Sequence, residues 1–160
     1  MQLLFVCLGN ICRSPTAEGV MRSLVQDAGL EGEIVVDSAG TGAWHVGNPP
    51  DERASAAALA RGISLGGRAR QVLGEDYDRF DLLIGMDRSN VADLISAAPR
   101  EDARERVRLL RQFDPGSGGA RDLDVPDPYY GGASGFADVF DLVYAACDGL
   151  LTQITSGELR

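Results

Sequence analysis

The sequence predicts an α/β fold, a single domain built on a four-stranded parallel sheet flanked by helices on both faces. Three observations lead there. Short apolar runs fall at 2–6, 33–38, 81–86 and 106–110. Segments of helical periodicity separate them, the pattern of β-α units whose crossovers make the strands parallel. The chain has 160 residues, 44% hydrophobic and 24% charged, which suits one globular core.

The elements follow in order. Residues 2–6 are a continuous apolar run, read as a buried strand with Cys7 at its carboxyl end. Ser14 is placed to cap a helix that has Pro15 at its first position. Ala17, Val20, Met21, Leu24, Val25 and Ala28 then recur at helical spacing, and Gly29 ends the element. "EIVVDS" is the second strand, and residues 39–50 are a Gly/Pro loop. An alanine-rich helix follows over 51–61, capped by Asp51. Residues 62–80 show no pattern, since Gly62, Gly66, Gly67 and Gly74 interrupt it. "DLLIGM" is the third strand, 88–97 a short helix, and "RVRLL" the fourth strand, entered from the mixed-charge run "REDARERVRLLR". A loop rich in Asp, Gly and Pro covers 114–135. From Phe136 to Ile154 an apolar stripe that includes Cys147 marks a long amphipathic helix, with Cys147 on its core face.

Composition removes several function classes. A net charge of −9 argues against nucleic acid as partner. All fifteen basic residues are arginine, which excludes a Schiff-base lysine and a lysine-dependent nucleotide loop. Three cysteines, Cys7, Cys12 and Cys147, and one histidine, His45, suit neither a disulfide framework nor a zinc site, so reduced thiols and no metal are expected. No apolar run approaches the ~18 residues of a membrane span, and no signal-like leader precedes the first strand. The expectation is a cytoplasmic protein without membrane contact.

Ligands of open α/β sheets bind beyond the carboxyl ends of the strands, so the segment after Cys7 lies where such a fold places its site. A short loop running into a helix start turns backbone N–H groups toward one point and binds anions. Gly9 and Asn10 can take the left-handed conformations of a tight cradle. Arg13 offers a planar fork for two phosphate oxygens. Cys7 at the base of that ring would be activated as a thiolate, with the Ser14 hydroxyl donating to sulfur. A thiolate beneath a phosphate is placed for in-line attack, giving a phosphocysteine while amides and Arg13 hold the equatorial oxygens; no magnesium or other cofactor is needed. The leaving oxygen needs a proton, and a carboxylic acid is the natural donor. Asp122, Asp124 and Asp127 are the candidates. Asp127 is favoured because Pro128 holds it extended and Tyr129 and Tyr130 could screen it from water.

"VCLGNICRSPTAE" (6–18) together with "DPYYGG" (127–132) resembles the low-molecular-weight protein-tyrosine phosphatases, and "DSAGTGAWHVGNPPDERA", "RGI" and "ARQ" fall in the same order. The resemblance implies the phosphotyrosine phosphatase I-like fold and no cofactor. It makes Cys7 the nucleophile, Arg13 the phosphate ligand, Asp127 the general acid and Ser14 the aid to the thiolate. Asn10 would hold the loop in shape near Ser38. Leu8, Gly9, Ile11 and Cys12 would line the phosphate pocket, with Trp44, Tyr129 and Tyr130 receiving an aromatic ring. Many members carry a histidine where this chain has Gly67, so the support of Asn10 must come from elsewhere, from Ser38 or water.

Blander readings stand beside these. Free cysteines usually pack in cores, which suits Cys147. Cys12 is either a packing residue or a reversible disulfide partner that protects Cys7 from over-oxidation. His45 is read as a rim residue. Rival functions are arsenate reductase on the same scaffold, a non-catalytic phosphate or phosphopeptide sensor, and a Cys-His acyl hydrolase based on His45. Thioredoxin-coupled forms of the first typically carry a further cysteine pair, absent here, which leaves arsenate reduction through an external thiol open as a side activity; the second needs neither Cys7 nor Asp127. Phosphotyrosine proteins are the expected partners. A cognate tyrosine kinase, and weak self-association of the monomer through the aromatic cleft, are left open by the sequence.

Overall fold

The computed structural model describes residues 1–118, 122–129 and 131–159. In chain order the elements are β1 (Gln2–Cys7), α1 (Arg13–Asp27), β2 (Val35–Gly40), α2 (Glu52–Leu59), α3 (Asp76–Arg79), β3 (Leu82–Gly85), α4 (Arg88–Ala97), α5 (Glu101–Arg104), β4 (Val107–Leu109) and α6 (Ala133–Thr155). Two 3-10 turns, Leu110–Phe113 and Pro115–Ser117, lie between β4 and α6. The four strands form one parallel sheet in the order β2-β1-β3-β4. The chain leaves β1 for β2 on one side, then crosses back to β3 on the other. That reversal opens a crevice at the carboxyl end of β1, where Cys7 ends the strand.

The side-chain alternation of β1 divides the core. Leu3, Phe5 and Cys7 face α1 and α6, packing with Val20, Met21, Val143, Cys147 and Leu150. Leu4 and Val6 face the opposite layer with Tyr77, Phe80, Leu83 and Leu94. Cys147 is fully buried in the first of these clusters, so its core role is met, and burial pushes its thiol pKa up. The C-terminal helix α6 lies so close to the 3-10 turn at Leu110–Phe113 that a Cβ on Gly149 would overlap the carbonyl of Phe113. Among the described residues, no helix is long and apolar enough to cross a membrane.

One predicted helix cap is present, Asp51, which accepts from Arg53 N at 2.8 Å; α4 spans the predicted residues, and its cap, an Asp87–Asn90 capping box, is not among those predicted. The other differs. Ser14 does not cap α1; the helix begins at Arg13, Cys12 occupies the cap position, and no side chain caps the first turn. The Ser14 hydroxyl is instead engaged with Cys7 and Asn10. The unpatterned stretch 62–80 resolves into a bridge between Gly40 and Gln71 and the single turn α3. Ion pairs of Arg70 with Asp37 and Asp76 help hold it, and these leave no hydrophobic period to read.

Candidate active site

The loop from Cys7 to Arg13 is fixed by its own side chains. Asn10 is the one non-glycine residue with positive φ among the described residues, at 57°. Asparagine tolerates that conformation, and tertiary bonds hold it there. Asn10 Nδ2 donates to Ser14 Oγ at 2.8 Å and to Ser38 Oγ at 3.0 Å, and Asn10 Oδ1 accepts from Arg70 N at 3.0 Å. Ser38 in turn donates to Glu18 Oε1 at 2.6 Å. Ser38 thus lies in hydrogen-bond contact with Asn10, and so does a backbone amide of the "ARQ" segment. Two groups approach the sulfur. Ser14 Oγ lies 3.0 Å from Cys7 Sγ, and Asn10 N donates to it at 3.3 Å. Gly9 is not left-handed, contrary to expectation; it serves close approach, since a Cβ there would stand 2.9 Å from His45 Cδ2.

Arg13 is buried and aimed by carboxylates from two other segments. Its NH1 donates to Asp87 Oδ2 at 2.6 Å and to the Val125 carbonyl at 3.0 Å, and NH2 lies 3.6 Å from Asp127 Oδ2. Burial pulls the guanidinium pKa down, but the Asp87 hydrogen bond and the charges of Cys7, Asp87 and Asp127 outweigh it and raise it. Arg13 is therefore cationic throughout the useful pH range.

The three acidic candidates separate cleanly. Asp122 Oδ1 accepts from Asp124 N, and Asp124 Oδ1 caps the N–H of Arg88. Asp127 alone of the three lines the cavity that contains Cys7. Its side chain is 41% exposed, so it is not screened from water as the sequence suggested. Tyr129 donates its backbone N–H to Asp127 Oδ1 at 3.1 Å, an orienting contact. Tyr130 lies outside the described residues.

That cavity, of about 430 Å³, joins Cys7, Leu8, Gly9, Ile11, Cys12, Arg13, Trp44, His45, Asp127 and Tyr129. Cys7, Cys12 and Arg13 are among its buried members. Trp44, His45 and Tyr129 form an aromatic mouth, with Trp44 74% exposed. Arg53 stacks over the Tyr129 ring at 5.5 Å and the Phe136 ring at 4.6 Å, and so braces one side of it. Cys12 is buried in the wall. Burial first, then the charges of Asp51, Cys7 and Asp127, push its thiol up to about 12, so it is a protonated thiol beside the site.

With this geometry in hand, comparison with known proteins is specific. The model of the low molecular weight phosphotyrosine protein phosphatase family matches residues 2–158. The chain belongs to this family. It is 46% identical over 156 residues to the low molecular weight protein-tyrosine-phosphatase YfkJ of Bacillus subtilis, covering 96% of each chain. It is also 46% identical over 153 residues to the corresponding Streptomyces coelicolor enzyme, covering 96% of this chain and 93% of that one. A crystal structure of a protein tyrosine phosphatase from Entamoeba histolytica superposes with a TM-score of 0.93 at 38% identity, covering 99% of both chains.

Some residues around this family member's cleft were not assigned from sequence. Asp87 carried a signal: it sits between the third predicted strand and the helix behind it, at a carboxyl end like that of Cys7. Glu18 and Arg70 lie inside quoted motifs, yet their contacts with the loop and with Ser38 appear only once β1, β2 and residues 68–71 come together. Arg53 carried none, because an exposed arginine on a helix reads as solvated surface.

Proposed function

We infer that this chain is a protein-tyrosine phosphatase that hydrolyses phosphotyrosine and small aryl phosphates through a phosphocysteine intermediate. One observation carries the assignment of roles: a single cleft brings together a thiol, a guanidinium and a carboxyl group from positions 7, 13 and 127. Cys7 is the nucleophile and attacks phosphorus as the bond to the leaving aryl oxygen breaks. Asp127 gives that oxygen its proton, so phenol departs neutral and the phosphoryl group rests on sulfur. Water then attacks the phosphocysteine, Asp127 takes its proton, and inorganic phosphate and the thiolate are restored.

Arg13 and the uncapped first-turn amides of α1 stabilise charge on the equatorial oxygens in both steps. Ser14 and the Asn10 amide serve the sulfur, while Asn10, Ser38, Glu18 and Arg70 hold the loop in its strained form. Leu8, Ile11, Trp44 and Tyr129 accept the ring, and Tyr130 completes the same set. Exposure of Asp127 at the cleft mouth suits its double role, since both the leaving group and the incoming water pass it.

Cys12 belongs to the reading as a resolving thiol: a peroxide oxidises the Cys7 thiolate to sulfenic acid with release of water or alcohol, and attack of Cys12 sulfur with loss of a second water gives a disulfide that two external thiols reduce. Phosphoproteins are the substrates, and a tyrosine kinase is their source. Three free thiols suit a reducing cytoplasm. The protein acts as a monomer, with weak self-association through its aromatic mouth.

Asp127→Asn tests the assignment. Turnover of phenyl phosphate, a poor leaving group, falls by roughly 10²–10³-fold, while activated aryl phosphates lose much less. Equal losses across the series would contradict the role of Asp127.

A further inference from the structure

A second cavity begins where the catalytic cleft ends. Leu8 and Trp44 line both. On the far side of Trp44 an open groove of about 400 Å³ is walled by Val72, Leu73, Leu94 and Asp93, among others. Its apolar surface is unusually accessible: Leu8 is 42%, Leu73 52% and Trp44 74% exposed. The partition is built rather than incidental. The Trp44 ring lies on Gly42, where any Cβ would overlap it. Gly42 N donates to the Leu8 carbonyl at 2.9 Å, and Gln71 Nε2 to the Thr41 carbonyl at 3.1 Å.

A phosphotyrosine seated on Cys7 leaves the cleft at the Leu8–Trp44 edge or at the opposite edge made by His45 and Tyr129. Its neighbours in the chain are within about 10 Å for up to three residues, because an extended chain advances roughly 3.3–3.6 Å per residue. One flank of a peptide substrate must therefore pass over the groove. The groove is apolar along its floor, and Asp93 on α4 is exposed and forms no ion pair among the described residues. The opposite edge carries Arg53 over Tyr129, its charge already paired with Asp51 at 3.1 Å, so Asp93 is the charge left for a flanking residue on the groove side.

Resting on the phosphatase reading above, we propose that this groove is a substrate-recognition slot for the peptide flanking the phosphotyrosine. A bulky apolar side chain lies against Leu73 and Trp44, and a neighbouring basic residue meets Asp93. The slot selects among phosphotyrosine proteins and leaves the chemistry untouched.

The test uses phosphotyrosine peptides with Leu or Gly placed singly at each of the three positions on either side, and p-nitrophenyl phosphate as a substrate without flanks. Leu raises kcat/KM by roughly five- to tenfold on one flank only, the yield of partly burying one leucine side chain. Leu73→Ser reduces that preference to below about twofold and leaves p-nitrophenyl phosphate turnover unchanged. Asp93→Asn removes a preference for Arg over Glu beside it. The proposal is overturned if Leu and Gly peptides agree within about twofold at every position, or if the preference survives Leu73→Ser. It is also overturned if Leu73→Ser alters only a dimer seen by sedimentation. Failure to turn over p-nitrophenyl phosphate at all would instead overturn the phosphatase reading, a distinct result.

Discussion

Asp87 and Cys12 show how single residues outside the reacting trio shape the site. Asp87 faces Arg13 with a charged hydrogen bond of 2.6 Å, and it also caps α4. Asparagine can still cap, so Asp87→Asn separates the two duties. The variant should keep its melting temperature within a few degrees, yet raise KM for p-nitrophenyl phosphate and Ki for inorganic phosphate by roughly tenfold, the worth of a hydrogen bond to a charged group. Unchanged constants would remove Asp87 from the positioning of Arg13. Cys12 has a pH signature. Its thiol pKa rises from 9.0 to about 12 on folding, chiefly through burial. The preference for the thiol contributes fully below pH 9 and is lost as pH climbs through about 12, since the unfolded chain ionises first. Melting temperature should therefore fall more steeply above pH 9 in the wild type than in Cys12→Ser; parallel profiles would contradict the shift.

These residues also mark how far the sequence could be read. Cys7, Arg13 and Ser14 were legible because the anion loop is contiguous, and its chemistry needs those types at that spacing. Asp127 is favoured over Asp122 and Asp124 in the sequence for its neighbours Pro128, Tyr129 and Tyr130; the structure supplies a different reason, since it alone of the three lines the cavity of Cys7. The contacts of Asp87 with Arg13 and of Arg70 with Asn10 span 74 and 60 residues, and no local pattern encodes them. The exposure of Asp127 is not legible in its neighbours: Tyr129 meets it through a backbone N–H, and 41% of the side chain stays open to solvent.

At the level of elements, the strands were visible through their continuous apolar runs, as buried parallel strands are. The segment 62–80 was opaque because polar pairing, not periodic burial, organises it. The amphipathic stripe announced α6, but its close seating was not foreseeable. That seating depends on Gly149, whose missing side chain lets the helix rest on the Phe113 carbonyl. Gly149→Ala should destabilise the protein by about 1–3 kcal/mol despite alanine's better helix propensity, as overpacking does. Thermal or urea unfolding would show it, and a gain in stability would mean the contact is looser than described.

Across the whole molecule, the strand order explains why residues so distant in sequence meet. β1 lies between β2 and β3, so Cys7 at the end of one strand and Asp87 just beyond another stand on the same rim of the sheet. The segment 122–127 then closes over that rim, with Val125 N donating to the Met86 carbonyl at 2.8 Å. Neither half of the chain holds the chemistry alone. The account stands on covalent transfer of the phosphoryl group to the sulfur of Cys7. The most direct measurement is rapid acid quenching during turnover of a phosphorus-labelled aryl phosphate, followed by peptide mapping. Label should appear on the peptide bearing Cys7 as an acid-stable thiophosphate ester, and Cys7→Ser should lack steady turnover. Label on another residue, or undiminished hydrolysis by the serine variant, would contradict the account.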